Sequence, residues 1–143
     1  MPVDVSRFVE AQDSGGTYAA ALAELRTGQK RSHWMWFVFP QVAGLGQSPT
    51  AVFYGVDGLA EARAYLADAV LGPRLVECCE ALLALPGSDP VAVLGGIDAM
   101  KLQSSMTLFA RAAGEGADEV FRAVLGGYFG GGEDPATLAL LGS

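Results

Sequence analysis

Hydrophobic residues recur along this chain at intervals of three and four, the spacing that lines one face of a helix. Val5, Phe8 and Val9 open a short helix that stops before Asp13-Ser14-Gly15-Gly16. Thr17 is placed to cap a second, in which Tyr18, Leu22 and Leu25 share a face and Gly28 supplies the stop. A loop rich in Gly, Ser and Pro runs from Gln41 to about Thr50. Asp57 then caps a helix through Glu61, Tyr65 and Leu66. The next helix begins at Pro73, where a first-turn proline loses no backbone hydrogen bond. It carries Leu75, Cys78, Cys79, Leu82 and Leu83 inward and stops at Pro86-Gly87. Asp89-Pro90 and Asp134-Pro135 each combine a cap with a first-turn proline, and helices from about Asp98 to Ala113 and from Ala117 to Leu125 lie between them. Strand-like alternation is confined to Trp36–Phe39 and Ala51–Tyr54. The pattern predicts an all-α protein, a single compact multihelical domain of about seven helices over residues 1–143.

Composition narrows the setting. With 51% hydrophobic and 17% charged residues, the chain has the apolar material for a packed core and is not a disordered polymer. A net charge of −7 opposes binding to nucleic acid or to an anionic membrane surface. No apolar run reaches the roughly 18 residues of a spanning helix, and no signal peptide is apparent, so a cytoplasmic location is expected. Cys78 and Cys79 are adjacent and cannot form an unstrained disulfide, and their helical spacing reads as packing. With one distant histidine they make a poor zinc set, and nothing in the sequence asks for a cofactor or metal.

Charge is unevenly distributed. From Leu25 to Val56 the chain contains Arg26, Lys30 and Arg31 and no carboxylate. Within that window lies Lys30-Arg31-Ser32-His33-Trp34-Met35-Trp36-Phe37-Val38-Phe39-Pro40-Gln41, which holds both tryptophans and the only histidine. Cations beside aromatic walls suit a phosphate or carboxylate attached to a planar group. The structural alternative is that Trp34, Phe37 and Val38 pack along one helical face. A second segment, Asp98 to Phe109, places Asp98, Lys101 and Ser105 in one helical sector beside the apolar stripe of Leu102, Met106 and Phe109. Here too a purely structural role remains open, with Asp98 near a helix start and Lys101 lying along the core edge.

No nucleophile elbow and no phosphate loop occurs, and Gly44-Leu45-Gly46 lacks the third glycine of a dinucleotide fingerprint. The expected function is therefore a small anionic ligand, nucleotide or ADP-ribose-like, held in a cationic cleft. Lys30, Arg31 and Lys101 would neutralise the anion, and Trp34, Trp36 and Tyr54 would form walls. Gln41, Ser104 and Ser105 would supply hydrogen bonds, with His33 and Asp98 as the acid–base pair if the ligand is hydrolysed. The rival expectation is a non-enzymatic module that docks a protein through its Trp-rich surface.

Arg7-Phe8 with Gln12, the whole Lys30–Gln41 segment, Gly44-Leu45-Gly46 and the Asp98–Phe109 segment together resemble the bacterial domain-of-unknown-function 1810 family. Glu61-Ala62, Ala64-Tyr65-Leu66 and Leu71-Gly72-Pro73-Arg74-Leu75 are similar to its internal signatures. The resemblance runs from Arg7 to about Leu141 and implies a compact, mainly helical domain. It implies no activity and no catalytic residues. The label calpastatin sometimes given to members does not suit this chain, because such an inhibitor is a long disordered polymer.

Overall fold

The computed structural model describes residues 3–142. Its helices are α1 (Ser6–Asp13), α2 (Thr17–Thr27), α3 (Met35–Val38), α4 (Pro49–Phe53), α5 (Gly58–Ala67), α6 (Leu71–Leu83), α7 (Pro90–Leu94), α8 (Gly96–Ala113), α9 (Glu119–Phe129) and α10 (Pro135–Leu141). The count exceeds the expected seven or so because three short helices, α3, α4 and α7, are too brief for periodicity to reveal. The two strand candidates are helical over Trp36–Val38 and Ala51–Phe53, with Phe39 and Tyr54 the residues that end α3 and α4. In α4 the Ser48 hydroxyl accepts the Ala51 N–H at 3.1 Å and Pro49 fills the first turn, so local capping decides the conformation. Among the described residues the extended pairing is one parallel bridge between Val42 and Val56.

α8 is the centre of the molecule. Leu102, Ser104, Ser105, Met106, Thr107, Leu108, Phe109 and Ala110 are all buried, so from Ser104 to Ala110 the helix is enclosed on every side. It packs against α5, α7, α9 and α10, while α6 lies against α2, α5 and α9. A chain of rings crosses these layers: Phe8 meets Tyr65 edge-on at 5.2 Å, Tyr65 meets Phe109 at 5.1 Å, and Phe109 meets Phe121 at 6.0 Å.

α6 starts at Leu71, two residues before the expected Pro73. Pro73 still falls in the first turn, where backbone N–H groups have no intrahelical acceptor. Gly72 is required there for space: a Cβ at this position would lie 2.2 Å from the Leu66 carbonyl oxygen. Among the described residues no helix is long and apolar enough to cross a membrane.

Candidate functional site

The two segments singled out by the sequence meet in space. The Lys30 backbone N–H donates to the Val93 carbonyl of α7 at 2.8 Å, which brings the cationic window against the start of α8. There the Lys30 ammonium lies 2.9 Å from Asp98 Oδ2, and the Lys101 ammonium lies 3.2 Å from Asp98 Oδ1. Each ammonium also faces an indole, Lys30 at 5.3 Å from the Trp34 ring and Lys101 at 4.1 Å from the Trp36 ring. The result is an ordered stack of Trp34, Lys30, Asp98, Lys101 and Trp36, with one carboxylate shared by two cations. All three charged side chains are largely covered, which makes the stack less screened than a surface pair.

The carboxylate-free window is therefore neutralised from outside itself. Asp98 takes Lys30, and Glu77 approaches the exposed Arg26 at 3.9 Å. Glu24, the residue just before the window, folds back over it. It accepts the Arg31 N–H at 2.7 Å, the Ser32 N–H at 3.0 Å, the Ser32 hydroxyl, and the Trp34 indole N–H at 2.9 Å. Burial works against the charge on Glu24, but these hydrogen bonds outweigh it and hold the carboxyl down at about 2.

Lys101 looks onto a cleft of about 290 Å³ between the 41–46 loop, the first turns of α8 and the start of α10. Its walls include Gln41, Leu45, Gly46, Ile97, Met100, Ser104 and Asp134. Asp134 is engaged in its own helix, its Oδ2 accepting the Thr137 N–H at 3.0 Å and the Thr137 hydroxyl at 2.6 Å. The loop is held by the bridge to Val56, with Ala43 N–H to the Val56 carbonyl at 2.8 Å. Gly46 belongs there for close approach, since a Cβ would sit 2.4 Å from that of Ala51.

The expected site residues divide. Lys101, Gln41 and Ser104 line the cleft, and Lys30 and Asp98 stand behind Lys101. Trp36 and Tyr54 line a separate crevice of about 10 Å³ that shares Gln41 and Gly46 with the cleft. Such a space holds roughly one water, so these rings do not wall a ligand-sized volume. Trp34 is wholly enclosed and belongs to the core. Ser105 is wholly enclosed too, and its hydroxyl has no hydrogen-bond partner among the described residues. Ser104 shares a 2.8 Å hydrogen bond with the Thr137 hydroxyl. Arg31 and His33 are exposed, and neither lines the cleft. Among the described residues no cluster of three His, Cys, Asp or Glu side chains could hold a metal ion.

Arg7 and Gln12 stand out in the sequence only as signature positions, and each ties down an element beside the site. The Arg7 guanidinium donates to the Phe53 and Gly55 carbonyls at 2.8 and 3.0 Å and forms a fork with Glu61 at 3.2 and 2.9 Å. This fixes the segment after α4 that carries Tyr54. Buried Gln12 donates to the Phe37 carbonyl at 2.7 Å and to the Tyr65 hydroxyl at 3.1 Å, which seats α3 on the core. A second, larger cleft, about 830 Å³ in volume, lies between α5, α6, α8 and α9, and no sequence motif marks it. Its signal was the small residues Gly72, Ala112, Ala113 and Ala117, which leave space where four elements meet.

A multihelical protein organised around one buried central helix, with a lysine–aspartate–lysine stack at its edge, is the class that this geometry defines. Residues 2–141 match the family described as "Protein of unknown function (DUF1810)", and the chain belongs to that family. The crystal structure of the conserved hypothetical protein Rv1873 from Mycobacterium tuberculosis is similar over 100% of this chain and 99% of that one, at 51% identity and a TM-score of 0.93. No curated protein matches the chain.

Proposed function

We propose that this protein binds a small anionic ligand of the nucleotide or ADP-ribose-like class in the cleft beside Lys101. The observation that carries the reading is the position of the Lys101 ammonium, set between the Trp36 ring and Asp98 at the wall of a cleft. Two ammoniums share one carboxylate there, so the stack keeps a net positive charge in a chain whose total is −7. An incoming phosphate or carboxylate takes up the remaining donors of Lys101. Leu45, Ile97 and Met100 offer apolar contact to the rest of the ligand, and Gln41 supplies a polar group, while the Ser104 hydroxyl is already committed to Thr137. Binding has more support than hydrolysis, because each Asp98 oxygen is held by a lysine and His33 does not line the cleft.

Thermal unfolding with AMP and with ADP-ribose, followed by calorimetric titration, tests this. A ligand of the native state raises Tm with the logarithm of its concentration. Lys101→Met is expected to weaken binding roughly tenfold or more, as loss of a charged hydrogen bond does. Arg31→Ala is expected to leave it unchanged. Binding that survives Lys101→Met at full strength defeats the assignment.

A docking module is the second reading, and one feature favours it. Ile97 and Met100, on the first turns of α8, are 75% and 72% exposed at the rim of the same cleft. These side chains, and not the indoles, would then meet the partner.

A further inference from the structure

We infer that the larger cleft, between α5, α6, α8 and α9, is a second binding site, and that it takes a free monocarboxylate with an apolar tail. Its volume of about 830 Å³ falls in the range of sites for small organic ligands. Leu66 and Ala67 of α5, Pro73 and Val76 of α6, Ala113 of α8 and Phe121 of α9 give it apolar walls. It is a broad groove, largely open to solvent, and not an internal packing void that the core would have closed.

The one charged group in this lining is Arg63. Its Nε donates to the Ala112 carbonyl at 3.2 Å. That carbonyl is among those left free at the end of α8, and the bond holds the guanidinium beside the cleft. Both terminal amino groups are without an acceptor among the described residues. This is unusual in this molecule. Of nine Lys and Arg side chains, seven have a carboxylate within ion-pair distance among the described residues, and the other two are Arg31 and Arg63. Both side chains are exposed, but Arg63 also borders the 830 Å³ apolar cleft, which Arg31 does not. A guanidinium with a free fork matches a carboxylate bidentately, and the walls behind it match an aliphatic or aromatic tail.

Calorimetric titration with sodium octanoate and with 1-octanol, both below the concentrations at which they aggregate, tests the site. The wild-type chain is expected to bind octanoate saturably and octanol more weakly. Arg63→Gln is expected to lower octanoate affinity about tenfold and leave octanol unchanged. Ala117→Trp, at the exposed edge, is expected to block both, with Ala67→Trp as the alternative plug if the first does not fold by circular dichroism. Absence of saturable octanoate binding to the wild-type chain overturns the proposal. So does a folded plug variant that binds as the wild type does, or an Arg63→Gln variant that loses octanol and octanoate equally. The last outcome would leave Arg63 as a cap for α8 alone.

Discussion

Glu24 does more to shape the aromatic segment than any cation within it. Four donors from Arg31, Ser32 and Trp34 converge on its carboxylate, so the turn leading into α3 is built around one negative charge. Its carboxyl sits at about 2 in the folded chain, below the ordinary 4.5. A depressed value stabilises the fold fully above about pH 4.5, and that contribution fades as the pH falls through about 2. Glu24→Gln is therefore expected to lower stability by about 2 kcal/mol at pH 7, since it leaves donors mismatched. The gap between variant and wild type should narrow steadily as urea titrations are repeated toward pH 2, and a gap constant with pH would exclude this origin. Cys78 behaves in the opposite sense, its thiol pushed up to about 12 chiefly by burial, which keeps it an unreactive packing group. Tyr65 is likewise held neutral by burial and serves as a hydrogen-bonding ring.

Elements meet where side chains permit, and the α5–α6 junction shows how tightly. Gly72→Ala would push a Cβ to within 2.2 Å of the Leu66 carbonyl oxygen and 3.1 Å of its carbon, atoms that move only with the backbone. A loss of about 1–3 kcal/mol is expected, read as a lower urea midpoint, and an unchanged midpoint would mean that the two helices can part without cost. The long helices were legible because their apolar spacing persists over several turns, as in α2, α6 and α8. The Asp98–Lys101 pair was legible for the same reason, being a neighbour contact on one helix. Local pattern does not encode which acid answers Lys30, since that partner arrives by tertiary folding. Nor does it distinguish Trp34, the residue before α3, from Trp36 within it, of which the first is enclosed and the second lies beneath Lys101. The apolar cleft was hidden for a further reason: it is made by side chains that are small, and absence of volume leaves no periodic mark.

At the scale of the molecule, one connected set of buried residues runs from Phe8 through Trp34, Tyr65 and Phe109 to Tyr128, touching all the longer helices. Such continuity predicts one cooperative unfolding event, with near- and far-ultraviolet circular dichroism changing together. Phe109→Ala, at the crossing of the ring chain, is expected to cost about 3–5 kcal/mol and to shift both signals equally. Separate transitions would show that the helices fall into independent units. The two clefts lie at opposite ends of α8 and share no lining residue, so a ligand at each can be followed separately. The lysine–aspartate stack also gives the chain its own optical gauge. Trp34 is sealed in the interior while Trp36 is only partly buried and lies under the Lys101 ammonium, so their emissions differ in origin. Light from the first records whether the interior is intact, and light from the second records any movement of the lysine above it, with no dye attached to either.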